Sequence, residues 1–366
     1  MKFIYEHAGL PSQRQLLIDV NVAADRLYNK LSRLDTSSLD ISDYNKKYFG
    51  SKLKNLIYSL QFSSYLVSWS ITGSNFPYDE LLFMEYGAGS GITCLLAKEL
   101  GMKVIYNDIY DVSVRDARII AKAIGNEADN YLEGDIDKVI DFFKLKKINC
   151  NAIVSSDVIE HIYDVPVFLR KIPLLSNGPL SVVLCSGANP FHPYVKRKLM
   201  KFQKRIEFHD RQKEYGHKER DTLKAYRSVR KEIIKEYLLR SNIALKENEV
   251  LQLVNNTRGM IDVDIRKTIE HYLHTSQIPA PLAHPTNTCD PYTGNWAEHL
   301  MNPYELAKIL AEYGFTTSVL AGFYGNLASF TKRHIGRILD IIIHSKLIGK
   351  HSLRLTPFYT VYGKRN

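Results

Sequence analysis

The chain has 366 residues, 45% of them apolar, and a formal net charge of +10. This length suits two domains or one domain with large insertions, and the charge permits an anionic partner. No apolar run reaches the roughly 18 residues of a membrane-spanning helix, and the first residues hold no secretory-type apolar stretch. The four cysteines (Cys94, Cys150, Cys185, Cys289) show neither C-x-x-C nor regular spacing, so a disulfide scaffold is excluded and a reducing, cytoplasmic compartment is expected.

Residues 1–78 read as a helical cap. Leu16, Leu17, Val20, Val22, Ala23, Leu27 and Leu31 recur at helical spacing, as do Leu53, Leu56, Ile57, Leu60 and Leu66. Aromatic residues crowd this segment: Tyr44, Tyr48, Phe49, Tyr58, Phe62, Tyr65 and Trp69. Packing in the core is the ordinary role of such a face; roofing a ligand site is the other.

A buried strand follows at Leu81–Met84, then the turn Glu85-Tyr86-Gly87-Ala88-Gly89-Ser90-Gly91, then a helix from Ile92 to Leu100. Glycines at alternate positions let backbone approach a ligand, and the free N–H groups of the helix start point at the same place. The dinucleotide fingerprint G-x-G-x-x-G does not fit, because position 92 is Ile and no third Gly follows Gly91. A second strand, Lys103–Asp108, ends in an acid 21 positions after Gly87, near the offset at which a carboxylate meets ribose hydroxyls. The third strand is expected at Tyr131–Ile136 with Gly134-Asp135 at its end, the fourth at Asn151–Asp157 and the fifth at Leu180–Cys185. Polar residues at successive strand ends fit a ligand at the carboxyl edge of a parallel sheet.

The run E-x-G-x-G-x-G resembles the first motif of the Rossmann-like S-adenosylmethionine (SAM) methyltransferases. Asp157-Val158-Ile159-Glu160-His161 resembles the D-V-x-E-H of those acting on small molecules and glycans. The resemblance implies an α/β fold, a seven-stranded Rossmann-like sheet with its last strand antiparallel and helices on both faces. Residues 79–190 would be the SAM-binding core and 302–366 its remainder. The resemblance also implies SAM as cofactor, held by Glu85, Tyr86, Gly87, Ala88, Gly89, Gly91, Asp108, Ile109, Gly134, Asp135, Ile136 and Asp157. Asp108 would meet the ribose, Asp135 the adenine amino group and Asp157 the methionine end. His161, beside Glu160, is the candidate general base, with His299 as the alternative. No residue is assigned to a metal.

Residues 191–301 form a helical insertion between the fifth and sixth strands. Between Tyr194 and Arg240 stand 16 Lys or Arg against 7 Asp or Glu. Interspersed acids suit a solvated lid, and the excess of base suits phosphate. The stretch from His284 to Leu300 is rich in turn-forming and aromatic residues, and its T-G-N-W-x-E-H string is similar to strings in glycan-modifying methyltransferases. It nominates Asp290, Asn295, Trp296 and Glu298 for acceptor hydroxyls and a sugar ring.

A helix from Pro303, a sixth strand at Phe315–Phe323 and a seventh at Pro357–Gly363 complete the sheet. Between the last two, Lys332–Arg354 reads as a basic amphipathic helix in which Ile335, Ile338, Leu339, Ile342 and Leu347 alternate with Lys332, Arg333, Arg337, Lys346, Lys350 and Arg354. Such a stripe normally buries itself in its own domain, and otherwise lies on an anionic membrane. The expected activity is O-methylation of a sugar hydroxyl in a glycan, glycolipid or nucleotide-sugar intermediate, the acceptor bearing phosphate or a lipid link, at the inner face of a membrane or in the cytoplasm. Two alternatives stand: a metal-dependent RNA 2′-O-methyltransferase, whose E-x-x-E-H string is similar but starts here with Asp157, and a non-catalytic SAM-binding scaffold. Nucleic acid is the less expected partner.

Overall fold

The computed structural model describes residues 2–74, 76–212, 221–282, 284, 286–326, 330–345 and 348–366. The chain divides into two compact units. The first comprises Met1–Ile159, Val165–His192 and Asn302–Asn366; the second comprises Glu160–Asp164 and Pro193–Met301.

The first unit is built on a seven-stranded sheet: β1 (Leu82–Tyr86), β2 (Lys103–Asp108), β3 (Asn130–Glu133), β4 (Ala152–Ser156), β5 (Leu180–Ser186), β6 (Thr316–Ala321) and β7 (Tyr359–Arg365). Their spatial order is β3-β2-β1-β4-β5-β7-β6. The first five strands pair in parallel, and β7 runs antiparallel to both β5 and β6. All seven residues of β5 are buried, which requires helices on both faces of the sheet at that point. The third strand is shorter than the sequence suggests. It ends at Glu133, because Asp135 accepts from the Lys138 N–H (3.1 Å) and caps the helix Ile136–Lys146.

The first 78 residues pack within this same unit. In the helix Arg14–Leu31 the buried face is Leu16, Val20, Ala23, Ala24, Leu27 and Leu31, while Val22 points to solvent. The helix Leu56–Ile71 is buried around most of its circumference and packs on β4, β5 and the helix Ile92–Glu99. Tyr65 and Phe49 are fully buried and belong to the core.

The tail departs from expectation in length and in orientation. Its α-helix spans only Phe330–Ile343, and a 3-10 helix at Gly349–Arg354 follows; Lys346 and Leu347 lie outside the described residues. The helix packs inward through Gly336, Asp340 and Ile343. Ile335, Ile338, Ile341 and Ile342 are exposed, so most of the apolar stripe is not buried in its own domain. Among the described residues no helix is long and apolar enough to cross a membrane. All four cysteines are buried and unbridged.

The second unit has its own core, in which Val229, Ile233, Ile234, Val250, Leu253, Val254, Ile265 and Ile269 come from the helices Tyr226–Arg240, Glu247–Asn256 and Asp262–Thr275. Beside it lies a buried ion pair. The Arg230 guanidinium, fully buried, donates from both terminal nitrogens to the Glu207 carboxylate and from Nε to the Val254 carbonyl (3.2 Å). Thr288 Oγ1 donates to Glu207 Oε2 (2.8 Å), and Arg258 stands 3.4 Å from Oε1. Removing one partner strands a buried charge, which costs about 3–5 kcal/mol. Glu207→Ala is therefore expected to lower stability by about that much in urea unfolding, and Glu207→Met with Arg230→Met by markedly less.

Candidate functional site

β1 leaves the sheet next to β4, where the strand order reverses, and the glycine turn forms there. Gly87, Gly89 and Gly91 all have positive φ (+70°, +52° and +70°). A Cβ at Gly87 would come within 2.4 Å of Val158 Cγ2, and one at Gly91 within 3.2 Å of the Tyr106 ring. Gly87 thus needs glycine for space as well as for conformation, and Gly91 for conformation first. β2 grips the turn: the Ala88 N–H donates to the Asn107 carbonyl (2.8 Å), the Tyr106 hydroxyl to the Gly89 carbonyl (2.7 Å), and the Gly89 N–H to Asp108 Oδ2 (2.9 Å).

The helix Ile92–Glu99 begins at Gly91, which has no side chain to cap it. Glu85, near the end of β1, supplies the acceptor: its carboxylate takes the Cys94 N–H at 3.0 Å. Burial pushes the Glu85 carboxyl up to about 7, against the lowering effect of hydrogen bonds from Cys94 and Thr93.

A cavity of about 400 Å3 opens at this point, within the size range of small-molecule sites. Glu85, Gly87 and Ala88 from the end of β1 and Ser156 and Asp157 from the end of β4 line one side. The other side is the helical cap, with Tyr48, Lys52, Tyr58 and Phe62 and the polar groups of Ser51, Asn55, Ser59 and Ser63. Asp157 has φ +53°, a strained value for a residue with a side chain, and its Oδ1 accepts from the Gly187 N–H (2.9 Å). Burial and the carboxylates of Asp157, Glu85 and Asp108 push the Tyr48 hydroxyl up to about 12, so it stays a neutral donor.

Four of the residues expected to hold the cofactor thus line this cavity: Glu85, Gly87, Ala88 and Asp157. Gly89 and Gly91 shape the turn. Asp108 is buried, and its two oxygens accept from the Gly89 and Tyr110 N–H groups (2.9 and 3.0 Å). Tyr86 packs its ring on Phe168, Ile109 is exposed, and Gly134 and Ile136 are buried on either side of the exposed Asp135. Sequence reasoning offered the cap aromatics only as a possible roof; Tyr48, Tyr58 and Phe62 take that place, whereas Phe49 and Tyr65 are core. Lys52, Ser51 and Asn55 carried no signal, since an ordinary polar helix surface reads the same way.

In the second unit, His161 Nδ1 lies 2.9 Å from the Trp296 carbonyl. A carbonyl only accepts, so Nδ1 carries a hydrogen, and Nε2 faces Glu298 Oε1 at 4.0 Å. The carboxylates of Glu160 and Glu298 stand near it, the three side chains placing one ligand atom each within 4.8 Å of one another. Glu298 has φ +57°. The third member of this set is Glu298; His192 Nε2 meets the Tyr324 hydroxyl in the first unit (3.2 Å). His299 is stacked on Trp296, with centroids 4.2 Å apart, and burial first, then His284, lowers it to about 4, so it is a weak base.

The loop between His284 and Leu300 is bound to itself and its surroundings in this unit. Asp290 is fully buried and accepts from the N–H groups of Thr222, Tyr292 and Thr293 (2.6, 2.8 and 3.2 Å). The Asn295 amide donates to Asp221 (2.9 Å) and the Trp296 indole to the Tyr163 carbonyl (3.0 Å). Elsewhere in the unit, Lys201, Lys204, Arg205 and Arg211 border an open cavity of about 720 Å3.

No protein-family model matches the chain, and no curated protein does. Among solved structures it is similar to the plantazolicin methyltransferase BpumL in complex with SAH, at 10% identity over 96% of this chain and 98% of that one, with a TM-score of 0.38. It is also similar to magnesium protoporphyrin IX methyltransferase (ChlM) from Synechocystis PCC 6803 with bound SAH (12%, 84% and 83%, TM-score 0.37). A third likeness is to an SAM-dependent methyltransferase from Agrobacterium tumefaciens (16%, TM-score 0.27), where the match covers 33% of this chain and 43% of that one. The sheet order, its antiparallel seventh strand and the glycine turn define a Rossmann-like α/β fold.

Two outcomes follow from the turn. Gly87→Ala is expected to cost about 1–3 kcal/mol from backbone strain and to weaken ligand binding in calorimetry, with Val158→Ala relieving the steric part only. Glu85 is neutral in both folded and unfolded chains below pH 4.5, whereas above pH 7 its charge is buried in the folded state. Stability should therefore fall as pH rises from 4.5 to 7, by at most about 3 kcal/mol. Thermal melting of Glu85→Gln across that window should lack this decline; an unchanged profile would refute the assignment.

Proposed function

We propose that this chain is an enzyme that transfers a methyl group from SAM to a hydroxyl of a sugar, in a glycan, glycolipid or nucleotide-sugar intermediate. The observation that carries this reading is the cavity at the β1/β4 switch point. One side is the glycine turn, and the other is an aromatic and hydroxyl-rich helical face.

SAM, when bound there, supplies a sulfonium-borne methyl carbon for in-line displacement. The chain's own residues do the rest. Gly87 and Ala88 present backbone at close range, and the carboxylates of Asp157 and Glu85 favour a cation beside them. Tyr58 and Phe62 offer faces to the apolar side of a sugar ring, while Ser51, Asn55 and Ser59 meet hydroxyls. Lys52 suits a phosphate on the acceptor. His161 follows Asp157 by four residues, and its Nε2 serves as general base in preference to His299. Glu298, partly exposed, is the one loop residue of the expected acceptor set retained in that role.

A second reading has one observation in its favour: Glu160, His161 and Glu298 form a carboxylate–imidazole set suited to a divalent cation. In that case the methyl transfer is metal-assisted, as in the RNA 2′-O-methyltransferase alternative, and a chelator abolishes turnover.

The test is calorimetry with SAM and its demethylated product, followed by labelled SAM with fractionated cell material. Binding is expected, with label entering saccharide. Asp157→Asn should weaken binding about tenfold, roughly the loss of one charge-assisted contact. His161→Ala should leave binding intact and lower kcat by about 10²–10⁴. Absence of heat with either compound refutes cofactor binding; label in RNA, with loss in chelator, selects the second reading; binding without any labelled product selects a scaffold.

A further inference from the structure

The tail helix Phe330–Ile343 carries a feature that methyl transfer does not use. Ile335, Ile338, Ile341 and Ile342 are 56%, 59%, 49% and 38% exposed, an unusual concentration of bare aliphatic side chains within eight residues. At 100° per residue they fall on an arc opposite the packed face of Gly336, Asp340 and Ile343.

The helix cannot roll to hide them. Asp340 is buried, and its carboxylate accepts from the Tyr324 and Gly325 N–H groups at 2.7 and 3.0 Å. A Cβ at Gly336 would come within 2.9 Å of Tyr324 Cβ, and one at Gly9 within 2.6 Å of the His344 ring. The inner face is therefore keyed to the 324–325 loop and to the N-terminal segment.

Charge indicates what the outer face meets. The one acid between residues 330 and 343, Asp340, is turned inward. Arg333, Arg337 and Arg354 are exposed, Arg337 lying 3.5 Å from the exposed Glu6. Two copies meeting on this face about a two-fold axis would bring like charges together. Aliphatic side chains on a helix that also exposes Arg333 and Arg337 match the interface of an anionic bilayer, where the former enter the acyl boundary and the latter meet headgroup phosphates.

We infer that the outward face of this helix docks the protein on an anionic lipid surface. The docking is peripheral, and it is separate from the cavity and its chemistry.

The test uses the full chain and vesicles of phosphatidylcholine alone or mixed with phosphatidylglycerol. Co-flotation is expected with the anionic vesicles only, weakened by high salt. The triple variant Ile335→Glu, Ile338→Glu, Ile342→Glu should lose at least nine-tenths of it while keeping its melting temperature and its binding of SAM. No flotation of the wild type, or flotation that the triple variant retains, overturns the inference. So does sedimentation that shows a wild-type dimer dissolved by the triple variant, which would make the occupant a second copy.

Discussion

Two side chains of β2 hold both polar groups of one glycine: the Tyr106 hydroxyl takes the Gly89 carbonyl, and Asp108 takes its N–H. The rest of the site depends on that grip. It fixes a backbone that turns through three left-handed residues between β1 and its helix, where an unclamped chain would sample many conformations. Glu85, capping the helix from within the sheet, sets where the helix starts. The cradle is thus shaped by strand residues.

Much of this was legible because it follows from local pattern. The second strand has the same limits in sequence and structure, Lys103–Asp108, since an apolar run bounded by Lys and Asp leaves little choice. The alternate glycines and the acid at position 108 were visible, although the first job of Asp108 is to bind backbone rather than to face the cavity. The third strand was read two to three residues too long because Gly134-Asp135 looks like a strand end and is a helix entry. What sequence could not disclose depends on distant partners. Glu298 meets His161 across 137 positions, and Lys52 reaches the cavity only because the helix Asp43–Lys54 ends there. The stripe of the tail helix was visible in the sequence but its outward orientation was not, as periodicity reports a face but not what covers it.

The insertion shows how net charge misleads when read without positions. Its excess of base includes Arg230, which is consumed inside the unit by Glu207, and Lys224 and Lys231, which pair with Glu232 and Glu247. Lys201, Lys204, Arg205 and Arg211 instead gather around one hollow. The positive charge of this segment is therefore partly internal scaffold and partly exposed around that hollow.

The Glu85 carboxyl, lifted to the neutral range by its burial, also borders the cavity. A positively charged guest favours its ionised form, so entry of the guest expels a proton, and by thermodynamic reciprocity loss of that proton draws the guest in. For a positively charged guest, occupancy of the slot would in this way be tied to alkalinity through a residue whose other duty is to start a helix.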